Sequence, residues 1–131
     1  MNLALCADDR MGLRINGRRQ SKDRLLRERL MAMSAGRLRM SSYSARQFEC
    51  PVYAGEDYLS GAKDGDWCFC EDQEYLKYAQ KIERIVLFRW NRHYPADEYF
   101  QFPGKWVLVQ TCDFPGSSHE TITMEVYKPC E

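Results

Sequence analysis

The sequence predicts an α/β domain of three layers, in which a mostly parallel central sheet is closed by an antiparallel pair of strands near the C-terminal end. Three observations predict it. Strand-like and helix-like stretches alternate through most of the chain. One run, Ile85-Val86-Leu87-Phe88, is continuously apolar, the pattern of a strand covered on both faces. The last two strand-like stretches follow one another with no helix between them, so they should pair as antiparallel neighbours. At 131 residues, 44% hydrophobic and 13% aromatic, the chain can bury a self-sufficient core, and residues 1–131 read as a single domain.

Residues 2–7 form a short apolar run, read as a buried strand. Residues 10–20, rich in Gly and Arg, show no periodicity and read as a loop. Ser21 suits the cap of a helix over 22–34, with Leu26, Leu30 and Met33 as its apolar stripe and Gly36 as its left-handed terminus. Residues 37–41 alternate and return as a strand, after which Ser42 or Ser44 opens a short helix to 48. A brief strand at 52–54 and a short helix over 56–63 follow. Residues 66–70 alternate Trp, Phe and Cys. Asp72 then caps a helix to about residue 80, with Tyr75, Leu76 and Ala79 facing inward. Residues 82–90 contain the central strand, and 106–112 and 120–127 the closing pair, joined through Pro115-Gly116.

Composition excludes several classes. No apolar run is long enough to span a bilayer, and the first residues lack the basic start of a secretory signal, so a cytoplasmic protein is expected. The six cysteines, at 6, 50, 68, 70, 112 and 130, lie mostly in apolar strand-like runs and read as reduced thiols. Cys68 and Cys70 share a strand face, but further zinc ligands are not evident nearby, and His93 and His119 are the only histidines. No metal is expected. Neither a phosphate-cradling P-loop nor a nucleophile-elbow motif is present. Cys112 and His119 flank one turn, yet the apolar setting of Cys112 favours a structural thiol.

Zero net charge hides an asymmetry. Residues 10–46 hold ten Arg and one Lys against Asp23 and Glu28, a balance of +9; residues 47–131 hold 8 basic and 15 acidic side chains, a balance of −7. Arg favours bidentate contact with phosphate or carboxylate. Pairing of these arginines with the acidic half of the same fold satisfies the same arithmetic. In parallel sheets ligands bind beyond the carboxyl ends of the strands, where the basic loop and the turn at 41–46 would lie. The aromatic-rich segment 90–102 offers a separate surface for a protein partner.

The order of these parts resembles the dihydrofolate reductase family. The matching pieces are the strand at 3–7, the Asp9-Arg10-Met11-Gly12 loop, the helix after Ser21 with Asp23 in its first turn, and the passage of Arg39-Met40 into Ser41-Ser42-Tyr43-Ser44. The central strand at 82–90, residues 97–100, and the two last strands at 106–112 and 119–127 complete the order, which covers nearly the whole chain. The resemblance implies Asp23 as the catalytic, pterin-binding acid and NADPH as cofactor. It also shows departures at the cofactor site. Carboxylates, in Cys70-Glu71-Asp72, stand where the family has the glycine-rich turn that admits a pyrophosphate, and Ser42 replaces the arginine of the family's phosphate-binding turn.

The sequence therefore predicts a dihydrofolate-reductase-like domain that has lost standard NADPH-dependent reduction and needs no cofactor. It would bind an anionic small molecule, nucleotide or nucleic acid through Arg10, Arg18, Arg19, Arg39, Ser42, Ser44 and Arg46. The alternatives are a minimal working reductase that uses Asp23 and NADPH, and a protein-interaction module. No membrane partner is expected.

Overall fold

The fold is seen in a computed structural model, in which residues 1–130 are described. Its centre is β1 (Asn2–Ala7), whose successive side chains enter different cores. Leu3, Leu5 and Ala7 pack on one face of the sheet, and Ala4 with Cys6 on the other. The central strand β7 (Arg84–Arg89) repeats the pattern, with Ile85 and Leu87 on the first face and Val86 and Phe88 on the second. This period-two division between two apolar layers is what a continuous apolar strand requires.

The remaining strands arrange themselves around β1. In chain order they are β2 (Gly12–Ile15), β3 (Arg18–Arg19), β4 (Leu38–Met40), β5 (Tyr53–Ala54), β6 (Trp67–Phe69), β7 (Arg84–Arg89), β8 (Glu98–Tyr99), β9 (Trp106–Phe114) and β10 (Ile122–Pro129). The main sheet runs β5-β4-β6-β1-β7-β10-β9. Pairings among β5, β4, β6, β1 and β7 are parallel, whereas β10 lies antiparallel to both β7 and β9. The predicted mixed α/β architecture, with its antiparallel closing pair, is therefore observed. A second, small sheet of β3-β2-β8 stands apart from the main one.

Helix α1 (Arg24–Ser34) lays Leu26 and Leu30 against Ala4, Val86 and Phe88. The opposite face is covered by the 3-10 helix Gln73–Lys81, through the fully buried Tyr75, and by Tyr58, Leu59 and Ala62. Helix α2 (Ser42–Ala45) is one turn, capped by Ser41. No helix is long and apolar enough to cross a membrane among the described residues.

Several local expectations are corrected. The cap of α1 is Asp23, not Ser21, and the helix begins at Arg24. Its left-handed end starts one residue early, at Ala35 (φ 48°), and continues through Gly36. Residues 10–20 are not a loop: β2 and β3 form a hairpin turning at Asn16 and Gly17, both at positive φ. Asn-Gly is a favoured pair for such a turn, because both residues tolerate left-handed backbone. Residues 56–63 make turns instead of a helix. The segment after Asp72 winds as a 3-10 helix with a break at Tyr78.

Candidate functional site

The parallel strands β1, β4, β6 and β7 all deliver their carboxyl ends to one edge of the sheet. There the chain continues as Asp8, Ser41, Cys70-Glu71 and Trp90, and the β2–β3 hairpin reaches across them. Asp8 shapes the start of that crossing. Its carboxylate accepts the backbone N–H of Arg10 (2.9 Å), Gly12 (2.7 Å) and Tyr94 (2.9 Å). Burial pushes this carboxyl up, but those donors outweigh it and hold it below its ordinary range.

Two polar clusters occupy the edge, joined by the three consecutive residues Arg19-Gln20-Ser21. The first centres on Glu71. It receives the Arg19 guanidinium through Nε (3.0 Å) and Nη2 (3.1 Å), the Ser44 hydroxyl (2.8 Å) and the Gln47 amide (3.3 Å). Arg19 also stacks over Tyr43, 4.3 Å from its ring centre. Next to it the start of the 3-10 helix is already served by carboxylates: Gln73 N–H donates to Glu98 (2.7 Å) and Glu74 N–H to Asp72 (3.0 Å). Asp72 in turn meets Arg14 at 3.4 Å. An incoming phosphate would find these amides occupied and two negative charges beside them.

The second cluster centres on Asp23, which is 1% exposed. As N-cap it accepts from Leu25 N (3.0 Å) and Leu26 N (3.2 Å). From the turn between β9 and β10 it accepts Ser117 N (3.0 Å), Ser117 Oγ (3.2 Å), Ser118 N (2.8 Å) and His119 Nδ1 (3.0 Å). Burial alone would raise this carboxyl; the donors from Ser117, His119, Ser118 and Leu26 overcome it and hold the group far below the usual carboxylate range. Asp23 is thus held in its ionised form at neutral pH, with its acceptor positions filled from within the chain.

With Nδ1–H donated to Asp23, the Nε2 of His119 accepts from Tyr94 Oη (2.9 Å) and faces Ser21 Oγ (3.2 Å). Trp90 stacks on the imidazole, with ring centres 4.3 Å apart. Ser21, His119 and Asp23 have the polarity of a proton relay. However, His119 is only 3% exposed, and Tyr94 is the nearer hydroxyl on the nitrogen that would have to take the proton. The arrangement works as a tether binding the hairpin strap, α1 and the β9–β10 turn. Cys6 lies between the clusters. Burial, then the carboxylates of Glu71 and Asp23, push its thiol well up, which makes it a poor nucleophile.

The sequence-predicted site residues do not form one cleft. Arg19 and Ser44 meet at Glu71. Arg39 turns elsewhere, donating to Tyr58 O (3.0 Å) and Asp57 O (3.3 Å) and stacking on Tyr53. Ser42 is exposed, and its N–H faces Glu56 at 3.4 Å. Arg10, Arg18 and Arg46 are exposed and carry no ion pair among the described residues. Internal pairing accounts for much of the basic segment, since Arg14, Arg19, Arg24 and Arg37 all have carboxylate partners. Cys68 and Cys70 are both buried beside Tyr58, whose hydroxyl lies 3.1 Å from Cys70 Sγ. No three of His, Cys, Asp and Glu are grouped to hold a metal among the described residues.

The residue that sequence reasoning passed over is Arg27. It sits on α1 beside a cavity of about 350 Å³ between that helix and residues 48–50, walled by Met31 and Phe48 with Cys50 at the rim. Its Nη1 is buried without a hydrogen-bond partner. The helical pattern places Arg27 one position beyond the core residue Leu26, where an arginine is ordinarily a solvated flank, so nothing in the spacing singled it out. Neither the protein-family models nor the curated proteins contain a match to this chain.

Proposed function

We propose that this chain is a dihydrofolate-reductase-like domain that has given up standard NADPH-dependent reduction and binds an anionic small molecule in the cavity beside α1, with Arg27 as counter-ion. The observation that carries this reading is Arg27, which lines the cavity and has no ion-pair partner among the described residues. A ligand carboxylate in the cavity can therefore form a charge-assisted pair with its guanidinium. Met31 and Phe48 supply apolar walls, so the ligand class is an amphipathic carboxylate. Glu28 and Glu49 also line the cavity; Arg24 neutralises the first at 2.7 Å, and the second opposes any anion in proportion to its charge, so it weighs most against polyphosphates and nucleic acid. The loss of dinucleotide binding is supported by Glu71, Asp72 and Glu98 at the start of the 3-10 helix, and the relation to dihydrofolate reductases by the order of strand, hairpin, capped helix and closing strand pair.

Calorimetric titration with folic acid and 4-aminobenzoic acid, with inorganic pyrophosphate and NADPH as controls, tests the proposal. The carboxylates should bind, and Arg27→Met should weaken them tenfold or more, about 1.4 kcal/mol. Failure of both carboxylates to bind, or binding indifferent to Arg27→Met, would refute it. NADPH-dependent reduction of dihydrofolate would instead establish the minimal reductase.

A further inference from the structure

The two edges of the main sheet are finished differently. At one end β5 is two residues long, which blunts the edge. At the other, β9 runs nine residues with its outer backbone unpaired, because β10 is its only neighbour among the described residues. Residues 106–112, Trp-Val-Leu-Val-Gln-Thr-Cys, contain no charge, proline or glycine. In their midst Val107, Leu108 and Val109 are 48%, 47% and 49% exposed, three consecutive apolar side chains half open to water. Phe102, packed edge-on against Tyr127 at 4.9 Å, adds to the same end. The one protective device within this stretch is a register shift against β10 that leaves Val109 as the additional residue. An uncharged strand of high β-propensity on an open edge is a template for another strand.

We propose that β9 pairs antiparallel with β9 of a second copy of this chain, joining two sheets into one. The charges that flank the apolar stretch point to a second copy. A twofold axis through Val109 sets Lys105 of each copy opposite Asp113 of the other, so both ends of the ladder close on opposite charges. It also places Val107 across from Thr111 and Leu108 across from Gln110, with no like-charge opposition anywhere along the strand. Both copies' additional residues fall on the axis, which divides the contact into two short ladders. A contact of one strand is smaller than the roughly 800 Å² per partner of a standard interface, so the dimer is weak and forms with rising concentration.

Sedimentation velocity across a wide concentration range reads the result directly. The wild-type chain should pass from monomer to dimer. Val109→Lys, which brings two ammonium groups together on the axis, should stay monomeric with an unchanged melting temperature, because the side chain is exposed. Lys105→Asp should weaken the dimer by opposing two pairs of carboxylates, and adding Asp113→Lys should restore it. A chain monomeric at every concentration overturns the proposal. So does a dimer indifferent to Val109→Lys, or one that the double exchange fails to rescue.

Discussion

Replacing Asp23 separates the tethering carboxylate from the catalytic one. In Asp23→Ala the cap of α1 is lost, a change worth about 1 kcal/mol on its own. The backbone N–H groups of Ser117 and Ser118 and the His119 Nδ1–H also lose a charged acceptor inside the protein. Charge-assisted hydrogen bonds are worth about 1.5–3 kcal/mol each, but they share one carboxylate and are not additive, so a total of about 4 kcal/mol is expected. Asp23→Asn keeps one acceptor oxygen but turns an NH₂ group toward two donors, and should cost about 2–3 kcal/mol. The sign of the pH dependence follows from the depressed acidity of Asp23. Its folded-state value lies below the unfolded one, so its contribution is fully present above the ordinary carboxylate range. That contribution is lost as pH falls below about 4 toward the folded-state value. Urea unfolding of the wild type, Asp23→Ala and Asp23→Asn from neutral pH down to acid reads both effects. The wild-type stability should fall steeply at low pH, and the difference between it and Asp23→Asn should shrink. An Asp23→Asn variant as stable as wild type, with the same acid slope, would refute the tether. If that variant had lost a reductase turnover seen in the wild type, the carboxylate would be catalytic.

Other outcomes follow from the same structure. Glu71→Gln should release the Arg19 guanidinium and raise the affinity for inorganic pyrophosphate, seen by calorimetry; an unchanged affinity would mean that the carboxylate is not what keeps anions from this edge. In Gly116→Ala the new Cβ would meet Asp23 Oδ2 at 2.5 Å and the His119 carbonyl at 2.7 Å, so a loss of about 2 kcal/mol is expected in thermal unfolding. Burial pushes the Cys68 thiol up to about 11 and Cys70 higher still. At neutral pH a disulfide reagent should therefore modify the exposed Cys50 and Cys130 quickly, and these two buried thiols only on unfolding.

The parts of the fold that were legible in the sequence are those whose pattern has a single physical reading. β1, β7 and β10 were evident because period-two alternation or a continuous apolar run leaves few alternatives. The hairpin at 12–19 was not, since its strands are four and two residues long and Arg14 and Arg19 find their partners far along the chain. Its Asn16-Gly17 turn was the available signal. Ser21 and Asp23 are both good helix caps by composition. The choice between them was made by the β9–β10 turn, which recruits Ser21 to the His119 side of the network and surrounds Asp23 with donors. The basic stretch was legible as charge and not as geometry. Arg19 faces Glu71 from 52 residues away, a relation that no local pattern carries.

The Asp23–His119 contact spans 96 residues of chain, and this ties the order of folding to the two ends of the molecule. A chain emerging from the ribosome makes α1 early, but the donors that complete its capping network arrive only with the β9–β10 turn. Until β10 pairs with β7, one edge of the central strand also stays open, with Val86 and Phe88 incompletely covered. Closing so long a loop is entropically slow. During that interval the nascent protein presents the apolar surface that later becomes its core, so the last hairpin acts as the clasp that ends its period of greatest vulnerability to aggregation.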